Sequence, residues 1–341
     1  MRFLIFLLAY NKAFVALKWK LFIVYKQKFH KIVSHDNRYR NLISIRNKIK
    51  LSEGLSMTVI KNLFKPGNLI SAPGIFDGIS ARMADQFGFD LLYMTGYGTV
   101  ASHLGVPDAG IASYADMVGR VQMIASIVKT PFIADGDTGY GGLLNMHHTV
   151  KGYEAAGAAG IQIEDQEFPK KCGHTPGRKV IPLEDMIQKI EVAVEARVSE
   201  DFLIVARTDA RTGYGLDEAL RRGEGFAKAG ADILFIESPE SLEEMEKICS
   251  SFDTPLLVNV VDGGSTPVLS KQEYIDLGYQ VAIYPGTGFM ATAQALHSVY
   301  GTIKKTGSSV DVEVPLRDFM TFSEEMGFKE VWDFDKKHAR D

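Results

Sequence analysis

Cysteine is scarce in this sequence: Cys172 and Cys249 are the only two in 341 residues. Two cysteines exclude a disulfide framework and favour a reducing compartment, so we expect a cytoplasmic protein. Long apolar runs are also lacking, because the run at residues 3–10 is too short to span a bilayer. We therefore expect no membrane partner, while the 46% hydrophobic content is enough for a large buried core.

Basic charge is concentrated at the N-terminus, where residues 1–56 hold twelve of the 38 Lys and Arg but two of the 42 Asp and Glu. The rest of the chain therefore has 26 basic and 40 acidic residues. This acidic body argues against nucleic acid as the main partner. Two interpretations of the basic, apolar extension 1–56 stay open: a weak membrane-surface segment, or a start codon placed upstream of Met57.

Short apolar runs alternate with amphipathic stretches from Leu69 onward. Runs that are apolar throughout are typical of strands covered on both faces. Eight are predicted: 69–76, 91–95, 132–135, 160–164, 202–207, 233–237, 256–260 and 281–284. Eight strand–helix units predict a (β/α)8 TIM barrel over 57–307. The tail 308–341 is too rich in aromatic residues to be simply disordered, and we expect it to pack on the barrel or a neighbouring subunit.

Polar residues follow the predicted strands where each one ends: Asp77, Thr95, Asp135, Asp137, Glu164, Arg207, Asp209, Glu237 and Asn259. The carboxyl ends of barrel strands form the active-site face. A doubly wound open sheet is the alternative fold, but it binds its ligand at one switch point and does not need functional groups on so many strands. The distribution of polar residues therefore favours the barrel.

Asp135 and Asp137 lie two residues apart, where a predicted strand gives way to a glycine-rich segment. Glu164 ends the next predicted strand. Mg²⁺ takes oxygen ligands and keeps waters and substrate oxygens in its shell, so acids at this edge suit it. Taken alone, Asp-Gly-Asp-Thr-Gly is more often a turn. Together with Glu164 it predicts a divalent metal site.

Seven motifs, in order along residues 66–305, resemble those of the isocitrate lyase/phosphoenolpyruvate mutase superfamily. They are Tyr93-Met94-Thr95-Gly96-Tyr97-Gly98, Gly105-Val106-Pro107-Asp108, Asp135-Gly136-Asp137-Thr138-Gly139-Tyr140-Gly141, Ile163-Glu164-Asp165-Gln166, Pro169-Lys170-Lys171-Cys172-Gly173-His174, Ala206-Arg207-Thr208-Asp209-Ala210 and Val258-Asn259. The resemblance implies a barrel with a C-terminal helical extension and a homotetramer that exchanges its last helix. It also implies Mg²⁺ or Mn²⁺ near Asp108, Asp135, Asp137 and Glu164.

The segment around Cys172 is similar to the carbon–carbon lyase branch, above all 2,3-dimethylmalate and methylisocitrate lyases. That branch implies retro-Claisen cleavage of a 2-hydroxy dicarboxylate to pyruvate and a second carboxylate. Cys172, on a loop expected to be a mobile lid, is the candidate acid, with His174 adjusting its pKa. Arg207 is the candidate stabiliser of negative charge, and Tyr93 or Glu237 accepts the hydroxyl proton. The candidate substrate-binding residues are Thr95, Gly96, Tyr97, Gly98, Gly173 and Asn259.

Two segments depart from the methylisocitrate lyase pattern. This chain has Ile236-Glu237-Ser238 in place of Pro-Glu-Ala, and 259–264 differs from a turn like Asn-Ile-Thr-Glu-Phe-Gly. The difference favours a smaller diacid over a tricarboxylate. An oxaloacetate hydrolase and a phosphoenolpyruvate or carboxyphosphonoenolpyruvate mutase are the alternatives within the superfamily. Two hypotheses lie outside the superfamily. One is a catalytically inactive barrel. The other is a dinucleotide-binding protein, which the weak fingerprint at 96–101 together with Asp116 suggests.

Overall fold

A computed structural model describes residues 61–62, 64–173 and 177–339. The extension 1–56 and His174 lie outside the described residues. Eight parallel strands close into a barrel in chain order, and β1 pairs with β8. They are β1 Ile70–Ile75, β2 Leu92–Met94, β3 Phe132–Asp135, β4 Gly160–Glu164, β5 Leu203–Thr208, β6 Ile233–Ile236, β7 Leu256–Asn259 and β8 Val281–Tyr284. The predicted (β/α)8 barrel is confirmed.

Helices follow every strand and then extend beyond the barrel. They are α1 Gly78–Asp85, α2 Gly96–Leu104, α3 Tyr114–Ile127, α4 Leu143–Ala156, α5 Leu183–Ala196, α6 Ala210–Tyr214, α7 Leu216–Lys228, α8 Leu242–Ser250, α9 Lys271–Leu277, α10 Thr287–Thr306, α11 Phe319–Glu325 and α12 Phe328–His338. The C-terminal extension predicted from the aromatic tail is therefore helical. Exchange of its last helix between subunits stays a prediction, as do the domain boundaries.

Side-chain caps fix where several of these helices begin. The Asp77 carboxylate accepts a hydrogen bond from the backbone N–H of Ser80 at 2.7 Å and so caps α1. Ser113 and Asp116 cap α3 reciprocally, with Ser113 accepting from the Asp116 backbone and Asp116 from that of Ser113. Such caps satisfy N–H groups that have no partner within the helix. Asp77, grouped above with the active-site acids, is therefore occupied by a structural role.

The two-residue period of the strands separates two hydrophobic cores. On β5, Ile204 and Ala206 belong to the core shared with the helices, whereas Leu203 and Val205 belong to a core built almost wholly from strand residues. Continuing that alternation turns Arg207 toward the barrel axis. The same pattern on β4 turns Glu164 inward, because Ile161 and Ile163 pack with the helices.

The helices after β8 pack loosely on this chain. None of α10, α11 and α12 contains a buried residue, and large apolar side chains there are exposed, with Phe319 78% and Phe334 63% accessible. In the described part of the chain, no helix has the length and apolarity needed to cross a membrane.

Candidate active site

A cavity of about 220 Å³ opens at the carboxyl ends of the strands. Most of the predicted site residues line it: Tyr93, Thr95, Tyr97, Gly98, Asp108, Asp135, Glu164, Cys172, Gly173, Arg207 and Asn259. Asp137, Gly96 and Glu237 lie just behind this lining, each in contact with a residue that forms it. The structure thus brings the predicted residues together, and their catalytic roles stay predictions.

Asp135 ends β3 and is held from three directions. Its Oδ1 accepts a hydrogen bond from the backbone N–H of Asp137 at 2.9 Å and lies 3.5 Å from Gln162 Nε2. Its Oδ2 lies against Gly96, where an added Cβ would be only 2.4 Å away. Position 96 therefore accepts only glycine while Asp135 keeps this orientation. Gln162 also accepts the hydroxyl hydrogen of Tyr93 at 2.5 Å.

Lys170 is a site residue that the sequence analysis did not select. Its ammonium group lies 2.5 Å from Asp108 Oδ1 and 2.6 Å from Asp137 Oδ1, and all three side chains are almost fully buried. Burial lowers the pKa of Lys170, but the surrounding carboxylates, Asp137 and Glu164 first, raise it to well above its ordinary value. Lys170 therefore stays charged. Its signal in the sequence was the Lys170-Lys171 pair, which does not reveal which lysine turns inward.

The acids of this cluster are costly to ionise together. Burial raises the pKa of Asp135, and it raises the pKa of Asp137 to about 7. Burial also raises the pKa of Glu164 well above its usual range. The positive charges of Lys170 and Arg207 oppose these shifts. Oε1 of Glu164 is buried without a hydrogen-bond partner among the described residues. A divalent cation would relieve both the charge repulsion and the unpaired oxygen.

The donor set consists of oxygen atoms, as Mg²⁺ requires. Within residues 61–62, 64–173 and 177–339, no three acidic, imidazole or thiolate groups converge closely enough to hold an ion by themselves. Mg²⁺ binding commonly uses one or two carboxylates and completes its shell with water and substrate oxygens. The residues present fit such a partly hydrated ion.

Arg207 is held by four groups, and one of them is Glu164, whose Oε2 lies 3.5 Å from Nε. Its Nε and Nη2 form a bidentate pair with Asp209, at 2.9 and 2.8 Å. Its Nη1 lies 3.3 Å from Glu237 Oε2, and its guanidinium carbon lies 5.0 Å from the Phe235 ring centroid. Burial lowers the pKa of Arg207, but Asp209 and then Glu237 raise it, so that the net shift is upward. A fixed positive charge thus faces the cavity.

The β4–α5 loop carries Cys172 to the mouth of this cavity. Gln166 holds the loop by accepting from the Lys171 backbone N–H at 2.9 Å and donating to its carbonyl oxygen at 2.8 Å. Gly173 then passes so close to Arg207 that an added Cβ would lie 2.2 Å from Nη2. The half-buried Cys172 is therefore brought beside the charged group by a glycine that allows the approach.

Tyr93 and Glu237 differ as candidate proton acceptors. Burial is the first of several causes that raise the pKa of Tyr93 well above its ordinary value, so its hydroxyl keeps its proton and donates it to Gln162. Glu237 is fully buried and accepts from Asn259 Nδ2 at 3.2 Å and from Ser238 Oγ at 3.1 Å. A carboxylate with these donors is the better acceptor of the two.

One wall of the cavity is apolar. Phe289 of α10 packs on Tyr97 with ring centroids 5.4 Å apart, and on Phe76 at 5.7 Å. Further members of this apolar wall are Val261, Ile283, Pro285 and Met290. These residues were not among the predicted site residues, because apolar side chains in and after β7 and β8 carry no chemical signal in the sequence.

Comparisons with known proteins agree with this geometry. The family model of phosphoenolpyruvate phosphomutase matches residues 60–304. A 2,3-dimethylmalate lyase of Eubacterium barkeri is 42% identical over 280 residues, which cover 82% of this chain and 97% of the relative. Among solved structures, a 2,3-dimethylmalate lyase described as a PEP mutase/isocitrate lyase superfamily member has a TM-score of 0.78 at 34% identity, covering 83% of this chain and 95% of its own.

An oxaloacetate acetylhydrolase in complex with 3,3-difluorooxalacetate is similar to the same extent. Its TM-score is 0.78 at 33% identity, over 83% of this chain and 96% of that one. The predicted resemblance is therefore confirmed, and so is the prediction of an enzyme related to carbon–carbon lyases. With a matching family model and a matching fold, the chain belongs to the phosphoenolpyruvate phosphomutase family within the isocitrate lyase superfamily.

Proposed function

We propose that this chain is a Mg²⁺-dependent carbon–carbon lyase that cleaves an alkyl-substituted 2-hydroxy dicarboxylate, similar to 2,3-dimethylmalate, to pyruvate and a second carboxylate. One observation carries the proposal. The loop that holds Cys172 passes directly against Arg207, so a thiol proton donor and a fixed cation share one small cavity with the acids Asp135 and Glu164. The 42% identity to a 2,3-dimethylmalate lyase supports the same conclusion.

Asp135, together with Asp108, Asp137 and Glu164 close to it, would hold the ion. When bound, Mg²⁺ draws electron density from the substrate's 2-hydroxyl and C1 carboxylate. Lys170 offsets one of the two negative charges of Asp108 and Asp137 beside it and so limits the negative charge of the cluster.

The first turn of α2 suits the substrate's C1 carboxylate. Its N-cap, Thr95, makes no side-chain cap bond, and the helix begins with Gly96-Tyr97-Gly98 at the cavity wall. N–H groups in the first turn of a helix have no partner within it, and the helix dipole favours an anion there. These backbone groups therefore orient the carboxylate without adding a side chain to the cavity.

The proton transfers can be assigned to two residues. Glu237 accepts the 2-hydroxyl proton as C2 becomes a carbonyl and the C2–C3 bond breaks. The electron pair of that bond stays on C3 as an enolate, which Arg207 stabilises through charge-assisted hydrogen bonds. Cys172 then donates its thiol proton to C3, and the closed loop keeps bulk water from doing so.

The apolar wall defines the kind of substituent that fits. Phe289, Met290, Pro285 and Val261 offer no partner for a third carboxylate, and burying an unpaired carboxylate is strongly unfavourable. Methyl or other small alkyl groups gain about 0.8 kcal/mol per buried CH₂ at such a surface. The apolar wall therefore favours an alkyl substituent over a third carboxylate on its side of the cavity.

A product assay tests this proposal. The protein is incubated with Mg²⁺ and 2,3-dimethylmalate, 2-methylisocitrate or oxaloacetate, and pyruvate, acetate and oxalate are measured. Pyruvate from dimethylmalate supports the lyase, and Cys172→Ser should lower turnover sharply without weakening Mg²⁺ binding. Cys249→Ser is the matched control, since Cys249 lies on α8, and it should keep wild-type turnover. Acetate and oxalate from oxaloacetate as the main products would establish the hydrolase instead.

A further inference from the structure

The Asp209 carboxylate is shared by two arginines. Its Oδ1 accepts from Arg178 Nη1 at 2.6 Å and from Arg207 Nη2 at 2.8 Å, while its Oδ2 accepts from Arg207 Nε at 2.9 Å. The three side chains are buried, with 0%, 4% and 8% of Asp209, Arg178 and Arg207 exposed. A buried carboxylate between two cations is a strong, directional contact.

The two arginines come from different parts of the chain. Arg207 is the penultimate residue of β5, whereas Arg178 lies on the returning arm of the β4–α5 loop, which also carries Cys172. Backbone hydrogen bonds join the two arms of that loop, from Glu167 N–H to the Lys179 carbonyl at 2.8 Å and from Ile181 N–H to that of Asp165 at 2.9 Å. Arg178 is adjacent in sequence to Lys179, a residue of this paired segment.

Asp209 is itself anchored. Its backbone N–H donates to Asp165 Oδ1 at 2.9 Å, and Asp165 Oδ2 accepts from Thr208 Oγ1 at 2.7 Å and from Arg222 Nη1 at 3.0 Å. The carboxylate that joins the two guanidinium groups is therefore fixed to the barrel. Any movement of the returning arm that separates Arg178 from Asp209 changes what Arg207 faces.

We propose that Arg178 is a positioning residue that acts on Arg207 through Asp209, so that attachment of the β4–α5 loop sets the charge that Arg207 presents to the substrate. The inference rests on the proposed function. Three carboxylates face Arg207, because Glu237 at 3.3 Å and Glu164 at 3.5 Å lie beside it in addition to Asp209. Arg178 on the same Asp209 oxygen offsets part of that negative charge, so Arg207 keeps more of its own charge for the enolate. Coupling is reciprocal, so an anion bound by Arg207 also stabilises the attached loop.

Turnover is the readout that separates this role from simple structural support. A charge that matters most for the enolate stabilises the transition state more than the bound substrate, so its loss lowers kcat more than it raises KM. A purely structural Arg178 would alter the melting temperature and leave kcat of the folded enzyme unchanged.

The test compares Arg178→Gln and Arg178→Lys with two controls in pyruvate release from 2,3-dimethylmalate with Mg²⁺. Arg178→Gln should lower kcat by at least about tenfold with KM within about threefold, and Arg178→Lys, which keeps the charge, should restore part of it. Thr212→Val removes the other Arg178 contact, at Nη2, and should change kcat by less than about threefold. Arg221→Gln removes an exposed ion pair on α7 and should behave as wild type. A kcat for Arg178→Gln within about twofold of wild type would overturn the proposal.

A second measurement does not need turnover. Iodoacetamide labelling of Cys172, followed by peptide mass spectrometry, reports whether the loop stays attached. Arg178→Gln should speed this labelling by at least about fivefold, and Arg221→Gln should not. Equal labelling rates in Arg178→Gln and wild type would refute the link even if no tested diacid is cleaved. Faster labelling without any pyruvate would refute the proposed reaction and leave the link between loop and Arg207 standing.

Discussion

Replacing Gly96 by alanine should damage metal binding without damaging the fold. Gly96 is the first residue of α2 and has no positive φ, so alanine suits its backbone. The added Cβ would lie 2.4 Å from Asp135 Oδ2 and 2.9 Å from the carboxyl carbon. Ordinary contact begins at 3.4 Å, so the carboxylate must retreat by about 1 Å.

That retreat cannot be absorbed by the Asp135 side chain alone. Rotation would break the 2.9 Å hydrogen bond from Asp137 N–H and move Oδ1 away from Gln162. Mg²⁺ holds its ligands at about 2.0–2.1 Å in near-octahedral geometry, so a displacement of about 1 Å removes the ligand. We expect Mg²⁺ affinity to fall by about 10–100-fold, as it does when a ligand's supporting contacts are lost. This corresponds to about 1.4–2.8 kcal/mol of binding free energy.

The assay is calorimetric titration of the protein with MgCl₂ in the presence of oxalate, with thermal unfolding measured in parallel. Gly119→Ala is the matched control, since Gly119 lies in α3 with nothing within 4 Å of an added Cβ. It should bind Mg²⁺ as wild type does and gain up to about 1 kcal/mol of stability. If Gly96→Ala binds Mg²⁺ within about twofold of wild type, Asp135 is not the ligand that the geometry indicates.

Three further predictions concern stability, reactivity and assembly. Arg222→Met leaves the fully buried Asp165 without its charge partner and should lower the free energy of unfolding in urea by about 3–5 kcal/mol. Arg221 is the neighbouring but exposed residue, and Arg221→Met should lower it by less than about 1 kcal/mol. Equal losses in the two variants would contradict the argument. Burial raises the pKa of the Cys249 thiol to about 12, so the thiol is protonated at pH 8. It should therefore react slowly with iodoacetamide, and rapid labelling of Cys249 in the native protein would refute this. The exposed apolar residues of α10 to α12 should be covered in a homotetramer of about four times 37.7 kDa by light scattering, which a monomeric mass would disprove.

The strands were predictable because both of their faces are buried. Each run of apolar residues is long enough to identify, and the order of eight such runs leaves few alternatives to a barrel. Four predicted strands end one residue too late, as at Phe76 and Val260, because these residues are buried beyond the last strand position. The predicted strand 202–207 instead ends one residue before Thr208, the last residue of β5. Burial can be predicted from composition, whereas the last backbone hydrogen bond of a strand cannot.

Carboxylates at strand ends were harder to separate by role. Asp135 and Asp77 both follow an apolar run, yet the structure places the first at the cavity and makes the second an N-cap, which the serine three residues later indicates. Asp116, the acid of the dinucleotide alternative, likewise caps α3 and is not at a strand end. The capping pattern was present in the sequence in both cases and distinguishes these two acids from Asp135.

Long-range contacts between side chains could not be predicted from the sequence, as Lys170, Asp209 and Phe289 show. Each acts through a neighbour far away in the chain: Lys170 on Asp108, Asp209 on Arg178, and Phe289 on Tyr97. Such pairings depend on the path of the β4–α5 loop and on where α10 begins relative to β2. Spacing along the chain does not encode either distance.

The charged groups and the apolar groups of the cavity come largely from different halves of the barrel. Asp135, Glu164, Arg207 and Glu237 lie on or directly after β3 to β6, and the charged Asp108 and Lys170 come from loops beside them. The apolar wall comes mainly from β8, from the segments after β7 and β8, and from α10. Because the apolar wall makes no hydrogen bond to the acids or to Arg207, its side chains can change size without moving them. A barrel of this kind can therefore keep one bond-breaking arrangement while the apolar wall sets which diacid enters. Substitution in the apolar wall should change substrate preference, and substitution in the charged half should abolish turnover for every substrate alike.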